Sequence, residues 1–187
     1  MELPAGQLWV GTIGSSVCIS VRGRATHLHG SPLRDFANEM MRRGYDRFEL
    51  DLGRCTYMDS TFLGVLASLS SRLAESGFSR WIVYRITPRN FELFTTLGID
   101  RFFEMNSPAA VAHRPSDSTA LPAIQSGQPA DPAWAGTVLS AHEFLIEADE
   151  RNEPRFKELL TFLKEDLSRS QPPHAGVPEA SASRWKQ

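Results

Sequence analysis

The chain lacks an apolar run long enough to cross a membrane. No uninterrupted hydrophobic stretch approaches the roughly 18 residues that a spanning helix needs, and the N-terminus has no basic start followed by an apolar middle, as a signal peptide would. Hydrophobic residues make up 41% of the 187 residues, which is enough to build a core. These features predict a cytoplasmic protein that does not interact with a membrane.

Cysteine and net charge are also scarce. The two cysteines, Cys18 in a strand-like segment and Cys55 in a predicted loop, are expected to be reduced thiols. The formal net charge is −2, and no cluster of Lys and Arg forms a basic stripe along the sequence. Because phosphate backbones are bound through such basic surfaces, we expect no nucleic-acid partner.

The common catalytic motifs are absent. The sequence has no Walker phosphate loop, no zinc-ligand spacing and no Gly-x-Ser-x-Gly nucleophile elbow. A hydrolase that used Ser60 as nucleophile would need a nearby base, and only His27 and His29 are plausible by topology. These two histidines have no third ligand and are interpreted as loop residues without a metal. We therefore predict no enzyme activity, no cofactor and no metal site.

Strand-like and helix-like segments alternate over the first 105 residues. Apolar periodicity and turn residues predict strands at 8–10, 16–22, 47–52, 81–84 and 99–105, and helices at 31–44, 60–76 and 87–97. Strands that alternate with helices of this length favour parallel pairing with crossover connections. The predicted fold class is α/β, with a mixed sheet of four to five strands.

A polar cluster follows the predicted strand 47–52. Asp59, Ser60 and Thr61 open an apolar-periodic helix, where the first N–H groups lack partners. One interpretation is an ordinary helix cap worth about 1 kcal/mol. The other is a phosphorylation switch at Ser60, since a phosphoserine carries about −1.5 to −2 charges and a helix N-terminus favours negative charge. Position alone leaves both open.

The run Asp59-Ser60-Thr61-x-Leu63-Gly64-Val65-Leu66, placed after Phe48-Glu49-Leu50-Asp51-Leu52, resembles the signature of the STAS domain of bacterial anti-sigma factor antagonists. The similarity covers about residues 8–105. It implies a STAS-like fold and a non-catalytic phosphoswitch in which Ser60, or alternatively Thr61, is the phosphoacceptor. The implied partners are a Ser/Thr kinase acting as an anti-sigma factor and a metal-dependent Ser/Thr phosphatase. A constitutive interaction scaffold and a nucleotide- or lipid-binding STAS module are the alternatives.

Two positions depart from the family pattern. Phe62 stands where the family usually has glycine, so its ring either packs inward or alters the docking surface. The turn after the second strand reads Gly23-Arg24-Ala25-Thr26-His27, without the usual acidic residue. The predicted partner-binding residues are those of the helix start and of this turn: Asp59, Ser60, Thr61, Phe62, Thr26 and His27.

The rest of the chain changes in composition. Residues 106–136 carry five prolines and predict a linker between the STAS-like domain, 1–105, and a helical hairpin, 137–169. Ser140-Ala141-His142-Glu143 matches a capping box, which predicts that the first of these helices begins there. Their apolar faces must pack on the domain, on another protein, or on a second copy as a homodimer. Residues 170–187 are expected to be disordered.

Overall fold

A computed structural model describes residues 6–105, 122–127 and 133–170. Its centre is one mixed sheet with the strand order β5-β4-β3-β2-β1-β6. The strands β2, β3, β4 and β5 run parallel, while β1 pairs antiparallel with β2 and with β6. The strands are β1 Gln7–Ile13, β2 Ser16–Ala25, β3 Arg47–Met58, β4 Trp81–Tyr84, β5 Phe103–Met105 and β6 Ala123–Ile124.

Five α-helices accompany the sheet in the described part of the chain. They are α1 His27–Arg42, α2 Ser60–Glu75, α3 Pro88–Thr96, α4 Ala133–Ala148 and α5 Glu153–Ser170. The helix α2 follows β3 after a single residue and is buried along most of its length, including Phe62, Leu66 and Leu69. It is the central helix of the fold, and its first turn lies at the carboxyl end of β3.

The predicted α/β class with a mixed sheet is confirmed, and the sheet has six strands rather than four to five. The additional strand is β6, which lies inside the segment 106–136 that the sequence predicted to be a linker. Its two residues pair with Leu8 and Trp9 of β1. A strand of two residues carries no periodic pattern, so composition alone could not reveal it. Most of the predicted linker and the predicted disordered tail lie outside the described residues.

The helix α1 begins at His27, four residues before the predicted start at Ser31. The prediction placed Pro32 in the first turn, because a proline further inside removes one backbone hydrogen bond. Pro32 has no N–H to donate to the carbonyl of Leu28, four residues earlier. This carbonyl instead accepts a hydrogen bond from the N–H of Gly127 at 2.7 Å. A distant segment of the chain thus offsets the loss and allows the helix to start earlier.

The helix α4 begins at Ala133, so the predicted start near Ser140 is wrong. Ser140 and His142 lie in the middle of the helix rather than at its cap. The reason is packing: Ala135 and Val138 of the first turns form a small apolar cluster with Leu163 of α5. This burial extends the helix backwards through residues whose composition matched a linker.

The apolar face of α4 packs on the domain of the same chain. Ala141, Leu145 and Ala148 belong to the main core, together with residues of the sheet and of α2. At the far end, the buried side chain of Asn152 donates from Nδ2 to the carbonyls of Leu97 (3.0 Å) and Leu145 (2.7 Å). Among the candidates for the predicted helical hairpin, the structure therefore shows intramolecular packing.

Candidate functional site

The site lies where two neighbouring parallel strands end. Ala25 of β2 is paired with Met58 of β3, and the N–H of Asp59 donates to the carbonyl of Ala25 at 3.1 Å. The chain leaves both strands at this edge and enters α1 and α2 almost at once. Thr26 and His27 consequently lie beside Asp59 and Ser60, the arrangement expected for loops at the carboxyl edge of an α/β sheet.

The carboxylate of Asp59 caps both helices. Its Oδ1 accepts the N–H of Phe62 in the first turn of α2 at 2.9 Å, and its Oδ2 accepts the N–H of His27 in the first turn of α1 at 2.7 Å. The Nδ1 of His27 lies 3.6 Å from the same Oδ2. Negative charge is stabilised at a helix N-terminus, and this carboxylate serves two of them.

The hydroxyl of Ser60 contacts a histidine from the C-terminal helices. Its Oγ lies 2.9 Å from Nε2 of His142, a residue 82 positions away in α4. The Nδ1 of the same ring lies 2.8 Å from the carbonyl of Val138. A carbonyl only accepts, so Nδ1 carries the proton, and Nε2 accepts the proton that the Ser60 hydroxyl donates.

His142 is enclosed by the surrounding helices. Its side chain is 2% exposed, and its ring meets that of Phe156 from α5 edge-on at 4.6 Å between centroids. Burial lowers the pKa of His142 below its ordinary value, while the Val138 carbonyl and the charge of Asp59 oppose this effect. The neutral imidazole is the form that accepts a hydrogen bond from Ser60.

His142 was not predicted from the sequence, where only His27 and His29 were expected near Ser60. The residue was taken for part of a helix cap, and no local pattern connects it with a serine 82 residues earlier. The contact between His142 and Ser60 could have been predicted only if α4 had been known to pack on α2. His29 has a structural role instead, because its Nδ1 accepts the N–H of Thr26 (3.1 Å) and its Nε2 donates to the carbonyl of Gly6 (3.1 Å).

The two residues after Ser60 point into the protein. Phe62 is completely buried in the core, and its ring meets that of His29 edge-on at 6.5 Å. Of the two alternatives for this ring, inward packing is the one observed. Thr61 is 5% exposed. Ser60, Asp59, Thr26 and His27 are each half-buried, so Ser60 carries the most accessible hydroxyl of the Ser60–Thr61 pair.

The helix α4 crosses directly over the first turns of α1 and α2. A Cβ on Gly64 would lie 2.4 Å from the carbonyl oxygen of Ala141, so only glycine permits this approach. On the other side, Oγ of Ser31 and Oγ1 of Thr137 are 2.7 Å apart. A third contact is aromatic, because the ring of Trp134 meets that of His27 edge-on at 5.9 Å between centroids. The helix α4 thus covers one side of the half-buried Ser60.

Other chemistry is limited in the part of the chain that the structure describes. Burial raises the pKa of the Cys55 thiol to about 11, which suppresses its reactive thiolate form. Within residues 6–105, 122–127 and 133–170, no group of three or more His, Cys, Asp or Glu side chains is arranged to hold a metal ion. None of the helices in these ranges is long and apolar enough to span a membrane.

One known domain family matches the first half of the chain. A family model described as Mlab, STAS domain matches residues 10–105, about half of the chain. The chain belongs to the STAS domain family. The matched region runs from β1 to β5 and therefore contains Asp59, Ser60 and the crowded first turn of α2. The helix α4 and its His142 lie beyond the end of this STAS match.

Solved structures with a similar fold are distant in sequence. The STAS chain shares 15% identity with the protein TM1081 of Thermotoga maritima, at a TM-score of 0.50, over 55% of this chain and 82% of that one. An anti-sigma factor antagonist from Mycobacterium paratuberculosis is 17% identical, with a TM-score of 0.47, over 54% and 85% of the two chains. The phosphorylated form of the Bacillus cell fate determinant SpoIIAA is 16% identical, with a TM-score of 0.46, over 56% and 95%. Curated protein sequences give no match. At these identities the likeness concerns the fold.

Proposed function

We propose that this STAS-domain protein is a non-catalytic regulator of the anti-sigma factor antagonist type. Unphosphorylated, it binds a Ser/Thr kinase that acts as an anti-sigma factor, and phosphorylation of Ser60 by that kinase ends the complex. A metal-dependent Ser/Thr phosphatase restores the first state. The binding surface comprises the start of α2 and the neighbouring turn, with Asp59, Ser60, Thr26 and His27.

The observation that carries the proposal is the position of Ser60. It is the first residue of α2, it directly follows the capping residue Asp59, and it lies at the carboxyl edge of a STAS sheet. A phosphate at a helix start is favoured by about 0.3–1 kcal/mol, so the helix tolerates the modified residue. A partner packed over the same edge does not, because it has to bury the added charge.

Incubation with purified anti-sigma Ser/Thr kinases and ATP tests the proposal. Intact mass should show one added phosphate, and peptide mapping should place it on Ser60. Ser60→Ala should prevent the modification while retaining kinase binding, and Ser60→Asp should weaken binding. Ser76→Ala is the matched control, since this exposed hydroxyl lies at the other end of the same helix and donates to the Arg72 carbonyl. A phosphate that persists in Ser60→Ala would refute the assignment of Ser60.

A constitutive interaction scaffold is the second candidate, and the hydrogen bond between Ser60 and His142 favours it. A serine engaged in this way can serve packing alone. In that case Ser60→Ala and Ser60→Asp leave partner affinity the same, and the purified chain takes up no phosphate from any kinase that it binds.

A further inference from the structure

We propose that α4 is an intramolecular competitor for the Ser60 end of α2, so that docking of α4 and phosphorylation of Ser60 exclude one another. The inference rests on the proposed function, since it takes Ser60 as the phosphoacceptor. It adds a regulatory step in which this chain blocks its own site. The helix lies beyond the matched STAS region and is a feature of this chain's C-terminal part.

The docked helix α4 occupies the space that a phosphate on Ser60 would need. Only 2.9 Å separate Oγ of Ser60 from Nε2 of His142, a distance that holds one shared hydrogen. A phosphoryl group places a phosphorus atom and three oxygens in that space. His142 is 2% exposed, and its ring is held by the contact with Phe156 and by the Val138 carbonyl. The phosphate and the docked helix therefore compete for one position.

The charges near Ser60 also disfavour a phosphate while α4 is docked. Oγ is hydrogen-bonded to the neutral imidazole of His142 from α4. The carboxylate of the preceding residue, Asp59, contacts His27 of α1 and lies near enough to His142 to act on its charge. Burial disfavours the protonated imidazole that would pair with a phosphate. A phosphate under α4 would thus be a partly enclosed dianion next to the Asp59 carboxylate in sequence, whereas after release of α4 the same phosphate is more fully hydrated at the N-terminus of α2. Phosphorylation favours the released helix.

The residues by which α4 touches α1 and α2 near Ser60 are typical of an interface that can open. Around Ser60, α4 touches α1 and α2 through the small or polar pairs Ser31 with Thr137 and Gly64 with Ala141. One aromatic contact lies beside them, where the ring of Trp134 meets that of His27 edge-on. Interfaces between partners that exchange are more polar than permanent ones. Beyond Ala141, the contact becomes apolar at Leu145 and Ala148. The N-terminal half of α4 lies on the surface that the kinase is proposed to occupy, so the kinase binds after this half has left.

Hydrogen exchange of the full chain tests release without any kinase. Phosphoserine is introduced at position 60 during translation, and exchange of α4 peptides is followed by mass spectrometry. The proposal expects at least tenfold faster exchange in α4, with the strands β2 and β3 unchanged. Phosphoserine at position 140 is the matched control, because Ser140 is exposed on the same helix. If the Ser60-phosphorylated chain does not fold, Ser60→Asp is measured in the same way. Unchanged protection of α4 would overturn the proposal.

A reversible crosslink tests the block on the kinase. Ser31→Cys with Thr137→Cys joins α1 to α4 at a point where their side chains already touch, without changing Ser60 or His142. The oxidised chain should accept phosphate from the anti-sigma kinase at least tenfold more slowly than the same chain after reduction, while Ser31→Cys alone should be insensitive to reduction. Equal rates refute the competition and leave the proposed function intact. If neither form accepts phosphate, the proposed function fails, and the exchange experiment alone decides whether charge at Ser60 releases α4.

Discussion

Replacing Gly64 by alanine tests the docking of α4. The sign of the change in the free energy of unfolding shows whether α4 lies on α2. In an isolated helix, Gly→Ala stabilises by about 0.8–1 kcal/mol, because alanine loses less conformational freedom. Here the new Cβ would lie 2.4 Å from the carbonyl oxygen of Ala141 and 2.9 Å from its carbonyl carbon and Cβ. Ordinary contact begins near 3.4 Å, so α4 must retreat by about 1 Å. Overpacking of this kind costs typically about 1–3 kcal/mol.

The two effects oppose one another, and the clash is expected to dominate because the obstacle is backbone. The net result should be a loss of up to about 2 kcal/mol in the free energy of unfolding. For a chain of this size that corresponds to a fall of up to about 8 °C in the thermal midpoint, at about 2–4 °C per kcal/mol. Calorimetry and urea unfolding measure it directly.

Gly136→Ala is the matched control within α4. A Cβ at this position meets no atom within 4 Å, so the substitution should stabilise by about 0.8–1 kcal/mol through helix propensity alone. The difference in sign between Gly64→Ala and Gly136→Ala isolates the contact with Ala141. If both substitutions stabilise the protein equally, α4 does not lie on α2 in solution, and the packing argument for Ser60 is refuted.

The side chains of Phe62, Cys55 and His142 are each buried, and each burial can be tested separately. Phe62→Ala should lower the free energy of unfolding by about 3–5 kcal/mol through lost burial and a cavity, while Phe91→Ala, at a side chain 43% exposed, should change it by less than about 0.5 kcal/mol; similar losses would place Phe62 outside the core. Cys55, whose pKa is raised to about 11, should resist iodoacetamide at pH 8 in the native protein and react readily in denaturant; rapid native alkylation would contradict its burial. The lowered pKa of His142 means that the unfolded state binds more protons, so stability should fall as the pH drops below the unfolded pKa of about 6.5. His142→Gln should flatten this fall, and an unchanged pH profile would exclude His142 as its source.

Local patterns predicted the core of the fold well. The helix from Ser60 begins where it was predicted, because its own residues supply the buried face and the Asp59 cap. The strand predicted at 47–52 begins at Arg47 as expected but continues to Met58, through the predicted loop that holds Cys55. The STAS signature, which identified the family, is likewise a run of neighbouring residues. All of these features depend on neighbours within a few residues, and such neighbours are visible in one sequence.

Features that depend on distant partners were not predictable. Pro32 indicated a helix start, yet the N–H of Gly127 satisfies the carbonyl that this proline leaves open. The contact of Ser60 with His142 joins residues 82 positions apart, and the histidine lies in a helix whose start was placed seven residues too late. Nothing in the local pattern distinguishes a cap from the middle of a helix when the deciding burial comes from α5.

The dielectric environment determines how strongly a phosphate on Ser60 would act on α4. Two unit charges 4 Å apart repel by about 4 kcal/mol at the effective dielectric of a partly enclosed site, but by about 1 kcal/mol in water. For a carboxylate and a phosphate at such a distance, full hydration relieves at most about 3 kcal/mol for each unit of phosphate charge. Release of α4 is the movement that admits more water, since His142 covers one side of the half-buried Ser60 in the docked state. A relief of this size shifts the docking equilibrium towards the released helix by at most about two orders of magnitude per unit charge.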